Sequence, residues 1–245
     1  MRPFQIMQRR QAGGGGGGSF AGMASLFAAA EKGAYYDFTD ATKLAVNGDG
    51  TGGSPSSGGT VKWAVDQSPN LNHLRNNQTA GLPTYSATGV TTSGTNYGLF
   101  NMSGFGNWPS ISQPFEIIAC MSQIAYAGAD QRIIAFGASS WFLQGASSGA
   151  VRFFDGGYGS SFTPGLNTEF TIDGYFNGAS TLDGINGGAM AAGATGAGQP
   201  ATALVLGSTT AGGASGAQIR FKRLVIVGRA LTPTERAGVY AWASA

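Results

Sequence analysis

FEIIACMS, residues Phe115–Ser122 directly after Pro114, is a continuous apolar run of strand length. Such a run suits a central strand with both faces covered. Short segments of the same kind extend in both directions. Val61–Val65 reads as a strand bounded by Gly58–Gly59 and by the turn-forming Ser68–Pro69–Asn70. Arg132–Phe136, Trp141–Leu143 and Val151–Phe154 follow, separated by Gly, Ala and Ser turns. Glu169–Asn177 alternates, with Phe170, Ile172 and Phe176 on one face and Thr171, Asp173, Tyr175 and Asn177 on the other. Ala203–Leu206 and Ile219–Val227 complete the set. At the end the pattern changes: Thr232–Pro233–Thr234–Glu235 places an N-cap before a proline at the first helical position, with a glutamate three residues after the cap. A short helix through Trp242 should close the chain. Many short strands, glycine-rich turns and one helix give an all-β sandwich or jelly roll.

Composition agrees. Of 245 residues, 42 are glycine and 26 are charged (14 Lys and Arg plus 12 Asp and Glu). Aromatic residues make up 11% of the chain, enough to exclude a disordered polar polymer. The net charge of +2 is too small for electrostatic wrapping of nucleic acid, and the basic residues form no stripe. One cysteine excludes a disulfide framework and a zinc site built from several thiolates. Such numbers favour an extracellular or particle-associated β-protein over a cytosolic enzyme. Val46–Gly59 and Gly187–Gly198 are loops by composition, the first exposed and mobile. The second opens on Asn186–Gly187, a strong hairpin dipeptide.

Residues 1–33 read as a separate element, and 34–245 as the β-domain. Arg2, Phe4, Arg9 and Arg10 precede six glycines, Gly13 to Gly18. Ser19 then caps a short helix carrying Phe20, Met23 and Phe27 on one face. The glycine run separates the charges from the apolar stretch, unlike a signal peptide, and that stretch is too short to span a bilayer. Six glycines have a large backbone entropy to lose, and they allow close backbone approach. The reading is an anchoring arm threaded between neighbouring subunits.

Taken in order, several motifs resemble a known family. Tyr35–Asp40 (YYDFTD), Trp63–Leu74 (WAVDQSPNLNHL) and Pro83–Tyr85 are similar to the opening of concanavalin A-like, or laminin-G-like, jelly rolls. Those carry a tryptophan, an aspartate and a D-x-S-G-N-x-N-H turn, here with Pro69 in place of the glycine. Phe176–Leu182 with Ile185–Gly187 resembles the family's hairpin ending in an N-G turn, and Ile219–Thr232 its closing strand and helix entry. The likeness spans residues 34–245. It implies a lectin or glucanase type of jelly roll. With a short N-terminal extension, it implies a tail, fibre or baseplate protein of a bacteriophage.

Chemistry is harder to place. Retaining glycosidases need two carboxylates about 5–5.5 Å apart. Glu169 and Asp173 share a strand face but stand four residues apart, both as solvent-facing residues, and the family's Glu-x-Asp-x-Glu is absent. Asp173, Asn177 and Asp183 offer hard oxygen ligands in a weak likeness to a lectin calcium loop, so calcium is a minor alternative to no cofactor. His73 hydrogen-bonds the loop backbone, and Cys120 is an inert core thiol. Sugar binding needs an aromatic wall with amides or acids beside it. Tyr97, Trp108, Trp141 and Tyr158 lie beside glycine-rich loops and are the candidates, while Trp63 and Trp242 read as structural. The expectation is a non-enzymatic virion structural protein, homo-oligomeric and trimeric by analogy with fibres. Its arm docks into other virion proteins and its outer domain contacts host-surface glycan, without nucleic-acid or membrane partners. A secreted or surface lectin is the alternative, and a glycan hydrolase the third reading.

Overall fold

The computed structural model describes residues 19–94, 98–102, 108–126, 131–137, 140–144, 149–193, 198–208 and 217–245. Two antiparallel sheets face each other, and a helix covers the outside of one. Among the described residues the first sheet has eight strands. They are β1 (Gly33–Asp37), β5 (Thr84–Ser86), β6 (Gly89–Thr91), β8 (Phe115–Gln123), β13 (Glu169–Phe176), β14 (Leu182–Ile185), β15 (Ala191–Ala192) and β17 (Ile219–Val227). Their order is β15-β14-β13-β8-β17-β6-β5, with β1 pairing β17 beyond the β6 contact. The second sheet has nine. They are β2 (Leu44–Ala45), β3 (Trp63–Ala64), β4 (Leu74–Arg75), β7 (Phe100–Met102), β9 (Gln131–Ala135), β10 (Ser140–Gln144), β11 (Val151–Asp155), β12 (Tyr158–Phe162) and β16 (Ala203–Leu206). They run β12-β11-β10-β9-β16-β7-β4-β3-β2.

The apolar run of β8 has a physical reason. It pairs with β13 on one side and β17 on the other, and both of its faces are covered. Ile117, Ala119 and Met121 point between the sheets, into a core shared with Phe136, Phe153, Phe170, Ile172 and Phe176. Phe115 stacks on Phe176 at 4.6 Å, and Phe153 reaches the same ring at 4.6 Å from the opposite sheet. Ile118 and Cys120 point outward into a second core with Val225, Val227, Leu231, Val239 and Ala243. That second core is closed by α1 (Pro233–Ser244) and by a 3-10 helix, Met23–Phe27. Cys120 is fully buried there, and burial pushes its thiol up to about 11.

The capping box read from the sequence is present. Thr232 Oγ1 accepts from Glu235 N at 3.3 Å, and Glu235 Oε2 accepts from Thr232 N at 2.8 Å. The N-terminal segment differs from expectation. Its helix starts at Met23 with Gly22 at the cap position and no side-chain cap bond, so Ser19 is not the cap. Phe20, assigned to the arm, packs on α1 at Gly238, where an added Cβ would lie 2.2 Å from the ring. Arg2, Phe4, Arg9, Arg10, Gly13 and Gly18 lie outside the described residues. Two further expectations shift: Val61–Val65 contributes only Trp63–Ala64 as strand, and Gly187–Gly198 contains the short β15.

Helix α1 is pinned by buried charge. Glu116, fully buried on β8, accepts from Leu231 N at 2.8 Å and from Arg236 Nε at 2.7 Å. The same Nε lies 3.1 Å from Asp173 Oδ2, and Tyr240 donates to that oxygen at 3.4 Å. Asp173 is therefore not solvent-facing, as its place on the outward side of β13 suggested: α1 covers it completely. One guanidinium cannot balance two buried carboxylates. Burial, then the Glu116 charge, pushes Asp173 up to about 8, and its protonated form can donate to Glu116. Glu169, the other acid of that strand face, stays half exposed and pairs with Lys222 at 3.1 Å.

The WAVDQSPNLNHL segment is organised by Asp66. This buried carboxylate accepts from Tyr35 N at 3.1 Å, Ser68 N at 2.8 Å, Ser68 Oγ at 2.7 Å and Asn72 N at 2.8 Å. Burial pushes its pKa up against the pull of those donors. Asn70 and Asn72 donate to Gly33 O, and Tyr36 Oη donates to Asn72 O at 2.5 Å. The turn thus ties β1 in the first sheet to the link between β3 and β4 in the second.

Two measurements follow from these networks. Asp173 keeps its proton in the folded protein and loses it in the unfolded chain between an ordinary value of about 4 and about 8. Its contribution to stability is complete below that window and lost as pH rises through it, with a limiting slope of about 1.4 kcal/mol per pH unit. Urea unfolding from pH 4.5 to 8.5 should show that slope reduced in Asp173→Asn, which holds the neutral form at every pH. Asp66→Ala should cost about 3 kcal/mol in urea titration, because several buried backbone donors lose their acceptor together.

Candidate functional site

Three concavities compare. One of about 160 Å³ lies between the sheet edges, lined by Phe153, Phe162, Ile172 and Ile185, with Asp183 at its side. Another, about 300 Å³, lies beside Glu169, Asn186 and Tyr240 at the end of α1. The third is an open polar shelf of about 560 Å³ on the short β2–β3–β4 corner of the second sheet. Only this third one joins an aromatic side chain to amides and to two cations.

The shelf is built by register. Ala45, Trp63 and Arg75 stand opposite one another across β2, β3 and β4, while their neighbours Leu44, Ala64 and Leu74 enter the core. Side chains alternate along a strand, so Trp63 and Arg75 share the outward face. The indole lies between the Gly50 backbone and the His73 ring, whose centroid is 5.0 Å away. Gly50 has φ of +83°, and a Cβ there would press on the indole at 3.2 Å. Trp63 Nε1 makes no hydrogen bond among the described residues.

The rim is a self-bonded loop. Thr51 N and Oγ1 donate to Asp49 Oδ1 at 3.0 and 2.6 Å, and these bonds hold the Asp49 carboxyl below its usual range. Asn47 N donates to Thr51 O at 3.2 Å. The loop, exposed as expected, is closed by its own hydrogen bonds. Asn77 and Asn47 present exposed amides, and buried Asn76 backs the floor by donating to Gly98 O at 2.8 Å. His73 Nδ1 accepts from Asp66 N at 3.0 Å, which places its proton on Nε2, and burial pulls its pKa down. The histidine does hydrogen-bond the loop backbone, and it also supports the Trp63 ring.

Of the aromatic residues singled out in the sequence, Trp108 is buried and donates from Nε1 to Ala201 O at 3.2 Å, so its ring is core and not a platform. Tyr158 is 56% exposed, against Phe154 and beneath Arg152 at 5.2 Å, far from any amide cluster named above. Tyr97 and the Trp141 side chain lie outside the described residues. Trp63, read as structural, is the one that borders the polar shelf. The signal was available: Trp63 alternates with Ala64, and Arg75 with Leu74, but two-residue strands leave no period to read.

The calcium candidates separate. Asp173 pairs with Gly184 and Asp183 with Gly174, so the two carboxyls leave opposite faces of the sheet. Asp173 goes to Arg236 under α1, and Asp183 Oδ2 accepts from Ser160 N at 3.0 Å. Asp173, Asn177 and Asp183 therefore cannot surround one ion. Among the described residues no group of three His, Cys, Asp or Glu side chains converges on a metal position.

No family model matches the sequence, and no curated protein matches it. Solved structures do. A Trypanosoma rangeli sialidase bound to a difluoro-nononic acid is similar at a TM-score of 0.60 and 13% identity, over 96% of this chain and 35% of the sialidase. The same organism's sialidase as a covalent intermediate with 2,3-difluorosialic acid gives 0.58 and 13%, over 86% and 32%. A GH54 α-L-arabinofuranosidase soaked with a cyclic sulfate inhibitor gives 0.59 and 13%, over 90% and 65%. The chain spans about a third of the sialidase length. At such identity the likeness shows the fold, a mostly β sandwich with a C-terminal helix. It nevertheless corrects two expectations. The virion structural role finds no support, since these neighbours are a sialidase and an arabinofuranosidase and no phage family is shown. The expectation of a non-enzyme is withdrawn on the same finding.

Proposed function

We propose that the protein is a glycan-recognising β-sandwich of the concanavalin A-like jelly-roll type, with carbohydrate bound on the Trp63 shelf. One observation carries this reading: the Trp63 indole lines an open concavity of about 560 Å³ together with the exposed amides of Asn77 and of Asn47, whose Nδ2 donates to Thr51 Oγ1 at 3.0 Å. Sugars present an apolar ring face and a fringe of hydroxyls, which such a mixture of aromatic wall and few polar groups matches. The order of motifs from Tyr35 to His73 and the sandwich with its closing helix support the jelly-roll assignment. That the structural neighbours are a sialidase and an arabinofuranosidase supports carbohydrate as the ligand class.

A second reading, glycan hydrolysis, has its own observation. Glu116 and Asp173 form a carboxyl pair in which one member keeps a proton at neutral pH, the charge state that an acid and a nucleophile share in glycosidases. Helix α1 covers both groups, so this reading requires the helix to lift.

Calorimetric titration against a panel of neutral and acidic oligosaccharides tests both. At least one ligand should bind, and Trp63→Ala should weaken it tenfold or more, about 1.4 kcal/mol. Asn77→Ala, an exposed change that leaves the fold intact, should weaken it several-fold. Tyr158→Ala should leave affinity unchanged. Binding that survives both shelf variants would contradict the assignment of the site. New reducing ends that vanish in Glu116→Gln and Asp173→Asn would establish the hydrolytic reading.

A further inference from the structure

The shelf carries more positive charge than its own residues balance. Arg75 and Lys62 both line it, and neither has an ion-pair partner among the described residues. Arg75 is half-buried, and its Nε is shielded from solvent without any hydrogen-bond acceptor. A shielded, charged donor with no acceptor is costly, because the hydration it gave up is not replaced. Three partly buried arginines are satisfied: Arg223 bonds Asp37 at 2.9 Å, Arg229 bonds Glu235 at 2.8 Å, and Arg236 bonds Glu116 at 2.7 Å. Arg220 Nε, like Arg75 Nε, is shielded without an acceptor. Of these two, Arg75 is the one that lines a concavity described above, the β2–β3–β4 shelf.

Nearby acids do not supply the missing acceptor. Asp49 lines the shelf, but its Oδ1 is held by Thr51 and it forms no ion pair with Lys62 or Arg75. Asp66 is buried behind the turn and receives donors from Tyr35, Ser68 and Asn72. With Lys62 and Arg75 against Asp49, the shelf is left with net positive charge. Arg75 stands opposite Trp63 in the strand register, so an anion on the guanidinium would hold its carrier against the indole.

We infer that the shelf takes an acidic glycan, a sugar carrying a carboxylate or a sulfate, with the anion on Arg75 and Lys62 and the sugar ring beside Trp63. This rests on the glycan-recognition reading and specifies its ligand. Guanidinium forks pair with planar carboxylates and with sulfate oxygens through charge-assisted bonds, which are shorter and stronger than neutral ones. A neutral sugar would offer hydroxyl acceptors but no charge to balance Arg75 and Lys62.

The test is a titration of the full chain with four probes at low and at physiological salt. The probes are an oligogalacturonate, its carboxyl-reduced neutral counterpart, a sulfated galactan oligosaccharide and inorganic polyphosphate. The oligogalacturonate or the sulfated oligosaccharide should bind at least tenfold more tightly than the neutral counterpart, and whichever prevails identifies carboxylate or sulfate as the preferred anion. Arg75→Gln should abolish that advantage, and Lys62→Gln should reduce it and flatten the salt dependence. Circular dichroism checks that each variant is folded, and either variant alone suffices for the comparison. Equal affinity for acidic and neutral forms would overturn the inference while leaving glycan recognition standing. Polyphosphate binding as tightly as the acidic glycans would also overturn it, since charge without sugar would then be enough. If no glycan binds at all, the recognition reading fails first and this one with it.

Discussion

Glu116 occupies the position on which the layers of the molecule depend. It sits fully buried on β8, the strand that pairs with β13 and β17, and it faces outward among Ile118 and Cys120. An uncompensated carboxylate there would be strongly unfavourable, and removing one partner of a buried pair typically costs about 3–5 kcal/mol. Arg236 and the Leu231 backbone supply the compensation, and both come from the segment that enters and forms α1. The charge therefore specifies which surface of the helix meets the sheet. Val239 and Ala243 then fall onto the apolar part of that surface. The 3-10 helix of Met23–Phe27 packs into the same layer, and Arg229 joins it to α1 by bonding Glu31, Glu235 and Leu26 O.

With one sheet covered by the helix, the outward face of the other sheet remains for a ligand. At its β2–β3–β4 corner the strands are only two residues long, and their geometry is held by loops. Asp66 fixes the turn between β3 and β4, His73 from that turn supports Trp63, and Gly50 of the Asn47–Thr51 loop also lies against the indole. Trp63 and Arg75 are thus placed by a buried carboxylate that touches neither of them. Sites held in this way are preformed, so little ordering is left to oppose binding.

The sequence showed those parts whose pattern is long enough to be periodic or whose chemistry is local. The buried strands Phe115–Ser122 and Ala203–Leu206 stand out as largely apolar runs, and Ile219–Val227 as an alternating start that passes into the apolar Leu224–Val227. Thr232–Glu235 is readable because a capping box involves only residues three apart in sequence. The hairpin at Asn186–Gly187 is readable for the same reason, both residues having positive φ in the structure. What escaped depends on partners distant in sequence. Asp173 looks solvent-facing on its strand until α1, some 60 residues later, closes over it. Trp108 sits beside glycines yet enters the core, while Trp63 lies in a motif that reads as pure turn chemistry and instead borders the shelf. Tyr158–Phe162 is a strand of glycine and serine flanked by aromatics at the edge of a sheet, with little burial to create a pattern.

The central claim is that ligand meets the protein at the Trp63–Arg75 corner. The most direct measurement is a nuclear magnetic resonance titration of the isotope-labelled chain with an acidic oligosaccharide. It would follow the Trp63 indole N–H, the Arg75 Nε–H, the side-chain amide groups of Asn47 and Asn77, and the rest of the backbone. The prediction is saturable shifts confined to these groups and the Asn47–Thr51 loop, with the Arg75 side-chain signals moving most as the guanidinium gains an anionic partner. Shifts centred on the α1 face around Asp173 and Tyr240, or on the Tyr158 edge, with the Trp63 and Arg75 signals unmoved, would contradict it.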